Sequence, residues 1–231
     1  RSTQSRSSAA SDVYKRQLLP RLLPNADDDV AKEVARSFKK KGIEVMTEVA
    51  VEKIEVRKPA EVAVSAGGKT LICEKVLVAI GRKPCTAGLG LENAGIKCDD
   101  RGFVTVNEYC QTSVPSVYAI GDITGKAQLA HAASQMGLTA AAHAAGNRQR
   151  FADNVMPACI FSHPEIGSVG LTEAEARNRG YEVKCHRFAY AALGKALAMN
   201  ESEGFFKIVA DQKSGRILGV HIVGAHASDL I

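Results

Sequence analysis

Apolar residues recur at a helical period near the start of the chain. The string DDDVAKEVARSFKKKG, which begins at Asp27, places Val30, Val34 and Phe38 at helical spacing. Acidic residues open this string, lysines close it and Gly42 follows as a stop signal. The pattern predicts a helix of about four turns.

The pattern then changes to short alternating or wholly apolar runs, which are typical of strands. The runs are IEVM, VAVEKIEV, AEVAVSA, KTLIC and KVLVAIG, with turn signals at Lys58-Pro59 and Gly67-Gly68. They predict one strand followed by a small meander that ends in a buried strand.

The remaining chain predicts two further groups of elements. Strands are expected at FVTV and SVYAIGD, followed by an Ala-rich helix from about Leu129 to Ala145 that Gly146 ends. Beyond residue 147, strands are expected at ACIFS, IGSVGL, EVKCHRF, GFFKIVAD and RILGVHIVG, with one helix opened by the capping box Thr172–Glu175. The fold class is therefore α/β in the first part and α+β, dominated by an antiparallel sheet, in the last part.

Composition narrows the classes of function. The chain has 231 residues, 45% of them hydrophobic, and no apolar run of the length that a spanning helix needs, so no membrane role is expected. Of the net charge of +5, residues 1–17 carry +3, from four basic residues and one acidic residue. With 5% aromatic residues and no Trp, the chain lacks a platform for single-stranded nucleic acid, and no nucleic acid partner is expected.

The six cysteines lie at positions 73, 85, 98, 110, 159 and 185. This spacing permits neither a zinc knuckle nor a C-x-x-C redox pair, and no metal site is predicted. Scattered cysteines without an apolar signal segment favour a reducing compartment, so the cytoplasm is the expected location.

The densest chemical signal is Gly121-Asp122. A hydrophobic stretch that ends in Gly-Asp places a carboxylate at the tip of a sheet, where open α/β folds bind ligands. Gly121 leaves room for a polyol, and the Asp122 carboxylate accepts hydrogen bonds from hydroxyl groups. The helix that begins near Leu129 directs unpaired N–H groups and a partial positive charge toward the same place.

The wider string VYAIGDITGKAQLAHAASQMG resembles the second FAD-binding motif of the pyridine nucleotide-disulfide oxidoreductases, and its L-A-H is similar to the dihydrolipoyl dehydrogenase branch. The resemblance implies that Asp122, beside Gly121, holds the ribityl chain of FAD. It also implies that the backbone of Leu129, Ala130 and His131 faces the flavin pyrimidine. His131 is interpreted as a helix-start residue rather than a base.

A second string, VLVAIGRKP, resembles the A-T/I-G-R-x-P stretch that the same family carries about forty residues before its Gly-Asp motif. The resemblance implies that Ala79, Ile80, Gly81 and Arg82 line the NAD site, where nicotinamide meets flavin. It implies a place beside the adenine pocket for Val49.

The end of the chain, from PACIFSHPEIGSVGL to GAHASDLI, resembles the dimerisation domain of this family. His163 does not match the family's H-P-x-x-x-E base motif and fits the S/T-x-P-E start of an interface strand. Residues 1–17 are rich in Ser and Arg and the composition changes abruptly at Leu18, so a leader, disordered or foreign, is expected over 1–17. The resemblance implies the C-terminal part of an NAD-binding domain over 18–88, an FAD-binding segment over 89–150 and a truncated dimerisation domain over 151–231.

The family's catalytic residues have no counterpart in the sequence. The C-x-x-x-x-C pair, both G-x-G-x-x-G motifs and the catalytic His-Glu pair are absent, so no catalytic residue is predicted and the chain is expected to be part of a longer protein. The resemblance implies a homodimeric flavoprotein that oxidises lipoyl groups borne by a subunit of a 2-oxoacid dehydrogenase or glycine cleavage complex, using FAD and NAD. The alternatives are a mercuric or glutathione reductase, a soluble transhydrogenase, or a non-catalytic nucleotide-binding or dimerisation module.

Overall fold

The structure, a computed structural model, describes residues 13–231 and divides the chain into two compact units. The described part of the first unit comprises residues 13–78 and 159–231, and the second unit is Ala79–Ala158. The strands are β1 (Val13–Arg16), β2 (Ile43–Met46), β3 (Val51–Lys58), β4 (Glu61–Ala66), β5 (Lys69–Cys73), β6 (Ala158–Ile160), β7 (Glu165–Gly170), β8 (Val183–Ala189), β9 (Phe205–Asp211) and β10 (Ile217–Gly224). The α-helices are α1 (Asp28–Lys40), α2 (Ala130–Ala144), α3 (Glu173–Asn178), α4 (Gly194–Ala198) and α5 (Ala227–Leu230), and 3-10 helices lie at Gly121–Thr124, Asp153–Val155 and Tyr190–Ala192.

The first unit is built on a five-stranded sheet of order β6-β7-β10-β9-β8. β10 pairs antiparallel with both β7 and β9, and β8 pairs antiparallel with β9, as the sequence predicts for its last third. Alternation along β9 buries Phe205, Lys207 and Val209 on one face and leaves Ile208 more exposed on the other. A lysine on the buried face requires nearby groups of opposite charge, because burial of an unpaired ammonium is costly.

Helix α1 covers the buried face of this sheet. Val30 and Val34, at the predicted helical spacing, pack into one core with Phe205 and Val223 of the sheet, and Phe38 packs against the edge of that core. The predicted helix at residues 27–42 is therefore confirmed, and its apolar stripe is the surface that joins it to the sheet.

Lys207 is compensated by three carboxylates. Its Nζ lies 2.8 Å from Asp27 Oδ1, 2.7 Å from Asp29 Oδ2 and 2.9 Å from Glu173 Oε2, and its side chain is 3% exposed. Asp27 is the N-cap of α1, where it accepts from the N–H of Asp29, and it also accepts from the N–H of Glu173 in α3. Two helix N-termini and one ammonium group thus surround a buried carboxylate.

The electrostatics of this cluster favour the charged form of every member with a resolved shift. Lys207 and then Arg177 donate hydrogen bonds to Glu173 and lower its pKa from 4.5 to about 2. Burial alone raises the pKa of Asp27, but the bonds from Lys207 and the backbone N–H groups outweigh burial, and the pKa is lowered. Burial likewise opposes the charge on Lys207, but its three carboxylate partners raise its pKa above 10.5.

The predicted meander is confirmed as a three-stranded antiparallel sheet of order β3-β4-β5. The prediction that it ends in a buried strand is wrong. Residues 75–86 form no regular secondary structure, and Leu77 and Ile80 are 90% and 94% exposed. An apolar strand of this kind is buried between parallel neighbours, and residues 13–231 provide no strand beside it.

The second unit contains the Ala-rich helix where the sequence predicts it, as α2. Ala132, Met136 and Ala140 of this helix pack on Cys110 and Phe151. The predicted strands at FVTV and SVYAIGD are wrong, because these stretches form only isolated bridges, Cys98↔Val104 and Gln111↔Tyr118. Their alternation reflects side-chain burial in a loop-rich unit rather than strand pairing.

The predicted leader, residues 1–17, lies partly outside the described residues, which begin at 13. Its described part differs from the expectation, because β1 pairs in parallel with β2 from Val13↔Ile43 to Arg16↔Met46. The compact units meet after residues 78 and 158, and the assignment of cofactor-binding and dimerisation domains with bounds after 88 and 150 stays a prediction. Among residues 13–231, no helix is both long and apolar enough to traverse a bilayer.

Removing the Lys207 ammonium should destabilise the protein strongly. Lys207→Met leaves Asp27 buried without its counter-charge, and we expect a loss of about 3 to 5 kcal/mol in the free energy of unfolding by urea titration. Lys213→Met is the matched control, because Lys213 is exposed and its ion pair with Glu182, at 3.5 Å, is exposed as well. A Lys207→Met protein as stable as the control variant would contradict this account.

The same cluster sets a pH dependence. The lowered pKa values of Asp27 and Glu173 stabilise the fold above about pH 5, and this stability is lost as pH falls from 4.5 toward about 2 for Glu173. The raised pKa of Lys207 gives stability that is present below pH 10.5 and lost as pH rises through the higher folded value. Glu173→Gln should flatten the acid limb in urea titrations across pH, whereas Glu74→Gln at an exposed position should leave it unchanged.

Close packing of the sheet gives a third prediction. Gly204 has φ +111°, and a Cβ there would lie 1.8 Å from the Val223 carbonyl oxygen, whereas Gly215 has φ +72° and open space around it. Gly215→Ala should cost about 1 kcal/mol through backbone strain, and Gly204→Ala about 3 kcal/mol through strain and overlap. Equal losses in thermal unfolding would show that the overlap relaxes without cost.

Candidate functional site

Gly121 and Asp122 lie at the start of the 3-10 helix Gly121–Thr124 in the second unit. Gly121 is buried with φ +74°, and a Cβ at this position would lie 3.3 Å from Ala133 Cβ of α2. Thr124 Oγ1 donates to the Gly121 carbonyl at 2.8 Å and closes the turn. Glycine is therefore required here both by its dihedral angle and by the close approach of α2.

The carboxylate of Asp122 is partly exposed and forms one ion pair. Arg82 Nη1 donates to Asp122 Oδ2 at 2.6 Å, and the two side chains are 66% and 51% exposed. Among the described residues Asp122 Oδ1 has no hydrogen-bond partner. One oxygen of this carboxylate thus remains available to a hydroxyl group.

Helix α2 begins beside this turn with its backbone N–H groups uncapped. Leu129 is the N-cap in extended conformation, and no side chain within residues 13–231 caps the helix. The first N–H groups of a 15-residue helix therefore face outward with a partial positive charge. His131, in the first turn, is exposed, and its ring Nε2 lies 2.7 Å from the Pro157 carbonyl oxygen, which makes the ring nitrogen the donor.

Packing holds the turn and the helix together. Gly137 lies one turn after Ala133 in α2, and a Cβ at Gly137 would lie 3.4 Å from the side chain of Ile120. The absence of a side chain at Gly137 therefore leaves room for Ile120, the residue before Gly121. At the other end of α2, Tyr118 Oη lies 2.8 Å from His143 Nδ1, and Tyr109 stacks on the same ring at 4.4 Å. The sequence stretch that contains Asp122 therefore contacts α2 near its start, through Gly121, and near its end, through Tyr118.

The residues proposed from the second string lie in the same unit, with one exception. Ala79, Ile80, Gly81 and Arg82 are all exposed, and Gly81 has φ +124°. Arg82 is the member that the structure brings to Asp122. Val49 lies in the first unit, half-buried and 3.2 Å from the Cβ position of Gly67.

Sequence reasoning missed the Arg82–Asp122 contact although it singled out both residues. They lie forty positions apart, and nothing in either string specifies the other as its partner. It also missed the Tyr118–His143 contact, for which the only signal was a histidine near the polar end of an Ala-rich helix. Within residues 13–231, no group of three His, Cys, Asp or Glu side chains is arranged to hold a metal ion.

Two family models match the chain. The model described as pyridine nucleotide-disulphide oxidoreductase matches residues 3–137, and the model of the dimerisation domain of the same family matches residues 156–231. These matches confirm the resemblance inferred from the sequence, and the α/β and α+β fold class with it.

Curated relatives agree with the family models. The chain is 44% identical over 217 residues to dihydrolipoyl dehydrogenase of Bacillus subtilis, covering 91% of this chain and 46% of that protein. It is 40% identical over 226 residues to dihydrolipoyl dehydrogenase of Thermus scotoductus, covering 96% and 49%. The chain thus spans about half the length of the curated relatives it matches.

Solved structures also resemble the chain over nearly its whole length and about half of theirs. The HOCl-induced flavoprotein disulfide reductase RclA from Escherichia coli superposes with a TM-score of 0.86 at 28% identity, over 95% of this chain and 51% of that chain. LpdA from Mycobacterium tuberculosis gives a TM-score of 0.86 at 28% identity, over 95% and 48%. By sequence and by fold, the chain belongs to the pyridine nucleotide-disulphide oxidoreductase family.

Proposed function

We propose that the complete protein containing this chain is a dihydrolipoyl dehydrogenase. It oxidises protein-bound dihydrolipoyl groups and passes two electrons through a redox disulfide and FAD to NAD+. The observation that carries the proposal is the placement of the Asp122 carboxylate and the glycine turn beside the uncapped N-terminus of α2. The names of the 40% and 44% identical relatives support the choice of substrate.

The residues present fit the sugar-like and pyrimidine parts of FAD. Asp122 Oδ1 accepts a hydrogen bond from a ribityl hydroxyl, and Gly121 has no Cβ to obstruct the chain. The N–H groups at the start of α2, around Leu129, Ala130 and His131, would face the pyrimidine edge of FAD and would favour negative charge there. When bound, FAD supplies the two-electron acceptor between the dithiol and the nicotinamide.

Ala79, Ile80, Gly81 and Arg82 form the proposed edge of the nicotinamide site, and Val49 is proposed for the adenine side. The match of residues 3–137 to the family model supports these assignments. Gly81, with φ +124°, lets the backbone turn without a side chain at this point.

The assembly and location are further parts of the proposal. The match of residues 156–231 to the dimerisation domain supports a homodimer, and Phe188 and Ile208, 49% and 36% exposed on the outer sheet face, supply apolar contact area for it. The lipoyl-bearing partner is a subunit of a 2-oxoacid dehydrogenase or glycine cleavage complex. Unpaired cysteines at all six positions support the cytoplasm as the location.

A second candidate is a reductase of another disulfide substrate. It is favoured by the structural similarity to the flavoprotein disulfide reductase RclA, although that identity, 28%, is lower than the identity to the dihydrolipoyl dehydrogenases. The two candidates predict different substrates for the same flavin site.

The deciding experiment assays the complete product of the native gene. Purified protein should carry yellow bound flavin and reduce NAD+ with dihydrolipoamide, while glutathione disulfide with NADPH should give no turnover. Turnover of the second pair alone would replace the proposed substrate. Protein that neither copurifies with flavin nor binds added FAD would overturn the proposal.

Asp122 should dominate the binding of FAD among the described residues. Asp122→Ala removes a charge-assisted hydrogen bond, and we expect the dissociation constant for FAD to rise about tenfold to a hundredfold. Asp100→Ala is the matched control, since Asp100 is exposed in a turn of the same unit. Flavin fluorescence titration of the apoprotein measures both, and equal constants would remove Asp122 from the site.

A further inference from the structure

The side chain of Arg82 joins an exposed segment to the turn that contains Gly121 and Asp122. Residues 75–86 have no regular secondary structure, and residues 74–83 are all exposed. Pro84 and Thr86 contact Gly102, at 3.5 and 3.8 Å from its Cβ position. Arg82 precedes these two residues in the sequence, and its Nη1 donates a hydrogen bond to Asp122 Oδ2 at 2.6 Å.

We infer that Arg82 is a positioning residue for Asp122, holding the carboxylate by Oδ2 so that Oδ1 is presented to a cofactor hydroxyl. The inference rests on the proposed function, because it assigns to Asp122 the ribityl chain of FAD. It gives Arg82 a role in addition to lining the proposed nicotinamide site.

The chemistry of the pair supports this role. An aspartate at 51% exposure is free to rotate unless a partner restrains it, and an ion pair to one oxygen reduces that freedom before the ligand arrives. The contact uses one nitrogen and one oxygen, which leaves the second carboxylate oxygen unobstructed.

The opposite role makes a different prediction. If Arg82 instead blocked Asp122, the cofactor would have to displace the guanidinium, and removal of Arg82 would tighten FAD binding. If Arg82 supported only the local fold, its loss would weaken binding equally whether or not Asp122 is present.

The first arm of the test needs no cofactor. Trypsin cleaves after Arg82 only when the guanidinium leaves Asp122, so Asp122→Asn should accelerate cleavage there about two- to fivefold, the range expected from an exposed ion pair. Cleavage after Lys75, in the same exposed segment, is the internal reference, and Asp100→Asn is the control variant. An unchanged rate in Asp122→Asn, measured by mass spectrometry, would show that the pair does not form in solution.

The second arm is a double-mutant cycle on the dissociation constant for FAD, in the complete product of the native gene. Arg82→Gln should raise this constant about three- to fivefold. In the Asp122→Asn background the same change should alter it less than about 1.5-fold. Arg82→Lys should restore most of the affinity, because it returns a cation to Oδ2.

The outcomes separate the inference from the proposed function. Tighter binding by Arg82→Gln, or an equal loss in both backgrounds, would overturn the positioning role while leaving FAD as the ligand. Absence of FAD binding by the unsubstituted protein would overturn the proposed function, and the trypsin arm would then decide whether Arg82 restrains Asp122. Circular dichroism of each variant confirms that affinities are compared between folded proteins.

Discussion

The buried ammonium of Lys207 is the interaction on which the first unit depends. A lysine on the core face of a β-strand carries a large desolvation cost, and the fold meets it with Asp27, Asp29 and Glu173. Two of these carboxylates come from the start of α1, which lies about 180 positions earlier in the chain. The cluster therefore forms only when α1 is docked on the sheet, and it specifies the position of the helix as well as stabilising it.

Apolar packing alone would not specify that position as closely. Val30 and Val34 interdigitate with Phe205 and Val223, and such contacts tolerate small shifts along the helix axis. Asp27 does not, because its two oxygens accept from N–H groups of two different helices as well as from Lys207. Hydrogen bonds are directional, so a shift that the core would accept leaves a buried carboxylate unpaired.

The second unit uses a different means to build its site. Its central feature is a short 3-10 turn rather than a strand, and the turn is pressed against α2 at Gly121 and Ile120. The site consists of backbone N–H groups, one carboxylate and one guanidinium, and no side chain in it is deeply buried apart from the packing residues. Such a surface recognises hydroxyl and carbonyl groups of a ligand, which is the chemistry expected where FAD lies along the protein.

The exposed apolar segment at residues 75–81 coexists with well-packed elements elsewhere because strands and helices differ in their need for partners. Leu77 and Ile80 have the composition of a central parallel strand, whose burial is provided by neighbours on both sides. Elements that satisfy their own hydrogen bonds, such as α1 and α2, need only one packed face. Strands need partners, so the same apolar pattern gives a strand in one sequence context and an exposed segment in another.

The sequence by itself determined the elements whose signals are local. The helical period and charged ends of α1, the Ala-rich α2 with Gly146, the capping box of Thr172 and Glu175, and the apolar runs that form β7 to β10 all follow from neighbouring residues. Family strings likewise selected Asp122 and Arg82 one at a time. The tertiary structure decided which of these residues meet, because the Arg82–Asp122 and Lys207–Asp27 contacts join positions that no local period relates. It also decided that SVYAIGD and KVLVAIG are not strands here, since strand formation is a property of pairs of segments and not of one segment's pattern.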